Sequence, residues 1–147
     1  MNACEFAAIG WLILLLIALY TNQQANRRET RKEIRDSLNQ MNAALDALLD
    51  ASTSYYLDKQ SFPNNEIIKI HNSINVCYRL IEDLSSIKKG IQLHVQFHLL
   101  YEKVTGGNFE SEKLQPGQQY TELCKEIATL KESLIINSEK WYKARFQ

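Results

Sequence analysis

The sequence predicts an all-α protein: one N-terminal transmembrane helix followed by a cytoplasmic antiparallel bundle of about four helices. Three observations predict it. Residues 6–20, FAAIGWLILLLIALY, are fifteen in a row without a charge. The rest of the chain carries apolar residues at alternating spacings of three and four, the period of helices that share a core. The whole chain holds only two prolines and five glycines. The domain plan is an anchor over residues 1–21 and a bundle over residues 22–147, with helices at 22–58, 64–89, 91–105 and 116–146.

The anchor comes first. At ~1.5 Å rise per residue its fifteen apolar residues reach ~22 Å, short of the ~30 Å hydrocarbon core. Flanking residues extend it, with Glu5 at the far interface and Tyr20 in the aromatic belt. Phe6, Gly10, Trp11, Leu14 and Tyr20 mark the membrane segment. A cleaved signal peptide would need a basic start and a small-x-small cleavage site, and neither is present. No Lys or Arg precedes the run, whereas Arg27, Arg28, Arg31 and Lys32 follow it. The positive-inside rule therefore puts the N-terminus outside and the C-terminal domain in the cytoplasm, at an inner or plasma membrane. Cys4, Cys77 and Cys124 are three scattered thiols, in keeping with a reducing compartment. Seventeen basic and seventeen acidic residues balance, so no charge excess draws the chain to nucleic acid.

In the first soluble helix Ile34, Leu38, Met41, Leu45, Leu48, Ser52 and Tyr55 form an a/d seam. Ala44, Ala47, Leu49 and Ala51 widen it into a bundle surface. The polar stretch before Ile34 continues the anchor as one helix, where Glu29 and Glu33 can pair with basic residues three or four positions away. Pro63 ends this helix, because it disfavours a helical Phe62. Asn64 or Asn65 caps the next one. There Ile67, Ile70, Ile74, Cys77, Ile81 and Leu84 form a second seam, broadened by Ile68, Tyr78 and Leu80, which makes this the central helix. Lys88, Lys89 and Gly90 close it.

Residues 91–99, IQLHVQFHL, alternate as a half-buried strand would, yet Leu93, Phe97, Leu100 and Val104 are also spaced 4-3-4. No second strand is available to pair with them, so a helix is expected. Gly106 and Gly107 end it. Pro116 suits the first turn of the last helix, whose inner face is Leu123, Ile127, Leu130, Leu134, Asn137 and Trp141. Its tail interleaves Trp141, Tyr142 and Phe146 with Lys140, Lys143 and Arg145. Short connections make neighbouring helices antiparallel and return this tail to the bilayer surface. The alternative is that Trp141 and Phe146 finish the core.

No specific catalytic motif is present, and the chain is expected not to be an enzyme and to need no cofactor. His94, His98 and Glu102 share one helix face at a spacing that could hold a metal. A metalloprotease would place Glu directly after the first His, where Val95 stands. In layout alone, the anchor and short bundle resemble membrane-anchored relatives of HEPN-type ribonucleases, which would imply a nuclease. Those carry Arg, four to six residues, then His; none of the six arginines here has that partner. The layout also resembles the phage inner-membrane spanins, whose helices are periplasmic, against the charge flanks of this chain.

The expected function is that of a self-associating membrane effector, pore-like or membrane-perturbing, as in a defence or toxin system, or an assembly scaffold. Its partners would be the lipid bilayer, further copies of the chain, and a protein encoded in the same operon. Oligomer or pore candidates are Glu5, Ala7, Gly10, Ile34, Leu38 and Met41. Small residues let membrane helices approach closely, and a ring of Glu5 carboxylates would favour cations. The alternatives are a membrane-tethered adaptor for a soluble partner, and a HEPN-like or metal-dependent enzyme using His94 and His98.

Overall fold

A computed structural model of the chain describes residues 3–58, 63–87, 93–107, 109–111 and 115–146, with side chains in the first helix described from Gly10 onward. Four helices follow in order: α1 (Ala3–Leu57), α2 (Pro63–Ile87), α3 (Leu93–Thr105) and α4 (Thr121–Phe146), the last preceded by a 3-10 turn at Gln118–Tyr120. No strand occurs among the described residues. The chain divides into two compact units, Met1–Asp36 and Ser37–Gln147.

The first unit is the N-terminal part of α1, and the polar segment is continuous with the apolar one as a single helix. Among the described residues no helix is long and apolar enough to cross a membrane. The apolar run whose side chains are described, residues 10–20, rises only ~16 Å, and polar residues follow it. The transmembrane helix is therefore not a feature of the described structure.

The second unit is an antiparallel bundle. Its part of the α1 seam is buried throughout: Leu38, Met41, Leu45, Leu48, Ser52 and Tyr55 are at most 2% exposed. Ser52 fits this apolar line because its hydroxyl donates to the Leu48 carbonyl at 2.6 Å. Asp46 on α1 pairs with Lys131 on α4, and seven residues further along α1 Thr53 hydrogen-bonds Cys124, seven residues back on α4. Equal and opposite steps fix an antiparallel register. Lys103 on α3 binds Glu126 on α4 at 2.6 Å, and Ser85 on α2 meets His94 on α3 at 3.1 Å. So α3 lies between α2 and α4, and α4 also packs on α1.

Residues 91–104 resolve in favour of the helix as far as they are described. Leu93, Phe97, Leu100 and Val104 are buried, while Val95 and Leu99, apolar in the strand reading, stay 65% and 47% exposed. Gly107 follows at φ 65°, the left-handed conformation that closes helices, and a Cβ on Gly106 would lie 2.5 Å from the Glu102 carbonyl oxygen. In α2, Ile70, Ile74, Cys77, Ile81 and Leu84 are buried as the seam requires. Ile68 and Tyr78 are not, at 57% and 56% exposed, because α2 presents only one face to the bundle. The helix begins at Pro63 itself, whose fixed φ and missing N–H suit a first turn, rather than after an Asn cap. Phe62 and the expected stop at Lys88, Lys89 and Gly90 lie outside the described residues.

The last helix needs two corrections. It starts at Thr121, five residues after Pro116, behind the 3-10 turn that Gly117 ties to α1 by donating its N–H to the Tyr56 carbonyl at 2.9 Å. Its buried line is Cys124, Ile127, Leu134, Ser138 and Tyr142. The expected Leu123, Leu130, Asn137 and Trp141 lie half-buried beside it. Between Ile127 and Leu134 stands Lys131, half-buried: its side chain is 16% exposed and its ammonium is held by Asp46.

Candidate functional site

Three places carry chemistry, and the first is the start of α1. Trp11, Leu12, Ile13, Leu14, Leu15, Leu16, Ile17, Leu19 and Tyr20 are each 52–74% exposed. Consecutive residues point in every direction around a helix, so this segment is apolar on all sides. Thr21, at its polar end, turns its hydroxyl onto the carbonyls of Ile17 and Ala18 at 2.9 and 3.0 Å, and Gln24 donates to the Tyr20 hydroxyl at 3.0 Å. Arg27, Arg28, Arg31 and Lys32 follow, all exposed. Glu29 and Glu33 form no ion pair among the described residues, against expectation; for Glu33 no Lys or Arg stands three or four positions away. The side chains of Glu5, Phe6 and Ala7 lie outside the described residues, whereas Gly10 is exposed. Ile34, Leu38 and Met41 are fully buried in the single chain, which leaves them no surface for a second copy.

The second place is the end of the bundle where α1 finishes. The Tyr55 ring meets Tyr56 edge-on at 5.0 Å and Phe109 at 5.3 Å, and Phe109 also packs on His71 at 5.7 Å. Glu110 takes a left-handed φ of 59°, donates its N–H to the Tyr55 hydroxyl at 2.9 Å, and sets its carboxylate 2.5 Å from His71. Tyr56 donates to the Val104 carbonyl at 2.6 Å. Burial pushes both phenols above their usual value of 10.0. Beside them a cavity of about 520 Å³ opens between Tyr56, Tyr120, Leu99, Lys103 and Leu130. The sequence offers little to foresee this cluster beyond the Tyr55-Tyr56 pair, because Phe109 and Glu110 reach it from a loop with no periodicity.

The third place is a groove of about 210 Å³ between α2 and α3, lined by Ile74, Tyr78, His94, Phe97, His98 and Tyr101 among others. The face of His94, His98 and Glu102, which spacing alone allowed as metal ligands, does not assemble there. His98 pairs with Glu102 at 3.3 Å, while His94 turns away to Ser85 and the Tyr78 ring. Among the described residues no three His, Cys, Asp or Glu side chains converge as metal ligands.

Cys77 and Cys124 are separate buried thiols. Burial pushes Cys77 up to about 12, and also raises Cys124, there opposed by the hydrogen bond from Thr53. Such thiols are poor nucleophiles. In the C-terminal tail Tyr142 is buried against Phe146, their ring centres 5.0 Å apart, with Trp141 at 6.3 Å from Phe146. Lys143 and Arg145 are exposed. No family model, no curated protein and no solved structure matches this chain.

Proposed function

We propose that the chain is a single-pass membrane protein that self-associates through its N-terminal helix, acting as a membrane effector or assembly scaffold without catalysis of its own. The observation that carries this reading is the exposure of nine large apolar side chains within the ten residues Trp11 to Tyr20, on every side of α1. Transfer of each from water is worth roughly 1.5–3 kcal/mol, and a helix apolar all round needs an apolar surround. The sequence adds Phe6, Ala7, Ala8 and Ile9 directly before, in the same helix. The basic residues after the run favour an outside N-terminus and a cytoplasmic bundle. A span this short is relieved by local thinning of the bilayer or by association of helices.

Flotation with phosphatidylcholine vesicles tests the reading. The full chain should float, resist extraction by carbonate, and lose both properties when Leu14 and Ile17 are changed to Asp. A chain that stays in the aqueous fraction would remove the membrane reading. The exposed apolar groove between α2 and α3 favours one second reading, in which the bundle tethers a soluble protein partner encoded beside it.

A further inference from the structure

The unpaired charges after the apolar run of α1 are arranged as two ridges. Successive residues on a helix are turned by about 100°, so Arg28 and Lys32 lie on one ridge and Glu29 and Glu33 on another, about 100° around the same helix. All four are exposed, and none has an ionic partner among the described residues. The ridges stand at nearly the same height, one residue or ~1.5 Å apart along the axis. Continued into the apolar run, the basic side carries Gly10 and the acidic side carries Trp11. A Cβ at Gly10 would meet nothing within 4 Å, so the backbone there faces open space, and Trp11, 74% exposed, projects from the other side.

We infer that the occupant of this surface is a second copy of the chain, the Arg28–Lys32 ridge of one copy docking on the Glu29–Glu33 ridge of the next. This rests on the membrane reading proposed above, because a shared bilayer holds neighbouring helices parallel and at one height. Charge is then complementary, basic meeting acidic, and Trp11 of one copy faces the side-chain-free backbone at Gly10 of the next. The two ridges are different surfaces of one copy, so the contact is heterologous and propagates. Ridges about 100° apart close it into a ring of about four or five copies, since the interior angle at each corner is about 90° in a square and about 108° in a pentagon.

Charge exchange in the full chain tests this, read as oligomer distribution by crosslinking in phosphatidylcholine vesicles. R28E/K32E and E29K/E33K should each raise the dissociation constant about tenfold, and the four changes together should restore it to within about threefold of the original. Gly10→Leu should weaken assembly without altering charge. Unchanged distributions in both two-site variants, or no recovery in the four-site variant, would overturn the docking. An anionic membrane as the true occupant would behave differently. R28E/K32E would then weaken and E29K/E33K strengthen binding to phosphatidylglycerol vesicles, with the oligomers unmoved, and that outcome also overturns it. Flotation of the same samples separates the two levels. Two-site variants that float and assemble as the original chain does remove the docking alone, whereas an original chain that does not float removes the membrane reading beneath it.

Discussion

At the residue scale, two polar side chains set the sharpest expectations. Gln96 on α3 has its Oε1 buried without a hydrogen-bond partner among the described residues. An orphaned acceptor costs about 1–3 kcal/mol, so Gln96→Met, similar in shape and without that demand, should raise stability by about 1 kcal/mol in urea unfolding. No gain would mean that Gln96 is satisfied. Tyr56 is the opposite case, its hydroxyl bound to the Val104 carbonyl at 2.6 Å. Tyr56→Phe leaves that carbonyl unpaired and should cost about 1–3 kcal/mol. It should also change the response to alkali. The folded chain holds the Tyr56 proton above the ordinary value of 10.0, so the folded state binds more protons than the unfolded state once pH passes about 10. Its contribution is fully present below pH 10 and is lost as pH rises beyond it. Urea midpoints measured between pH 8 and 11 should fall more steeply for the original chain than for Tyr56→Phe.

At the element scale, α3 shows how a period is decided by what is available to pair with it. Strand-like alternation and a 4-3-4 helical spacing coexist in its sequence, and the helix wins because a bundle supplies one apolar face and no neighbouring strand. Phe97→Ala should therefore cost about 3–5 kcal/mol and Val95→Ala less than about 0.5; equal effects would contradict the helical face. In α2, Ile81→Ala should cost about 2–5 kcal/mol, measured by the same unfolding. The α1 seam was fully legible, because every seam position there is apolar or a serine that can satisfy itself on its own helix. The α4 seam was not. Lys131 reads as a surface residue, and only Asp46, distant in sequence, explains why it stands in the buried line. The cluster of Tyr55, His71, Phe109 and Glu110 was hidden for the same reason, since its contacts join residues up to 55 positions apart. The pairing of His94 with Ser85 likewise undid a metal face that spacing alone had suggested.

At the scale of the whole molecule, the chain combines a unit that buries almost none of its described apolar side chains with one that buries them well. If the first unit lies in a bilayer with its basic flank inside, a phosphatase fused after Gln147 should be inactive in the periplasm of a bacterial host. Activity there would reverse the proposed orientation. A fragment starting at Thr30 keeps the buried Ile34 and omits the apolar run. It should remain helical by circular dichroism and stay in the aqueous fraction during flotation. Loss of helical signal would mean that the bundle depends on the omitted turns.

The two sealed thiols give the bundle a built-in clock. Cys77 sits on α2 and Cys124 on α4, and both are buried with raised proton affinity. A maleimide or aromatic disulfide reagent can reach either one only while the helices around it are apart. If the four helices separate as one body, the two sites should be modified at the same rate in the native protein. If α4 peels away first, Cys124 should react ahead of Cys77. Mass spectrometry of partly labelled protein would thus read, without any engineered cysteine, the order in which this bundle comes open.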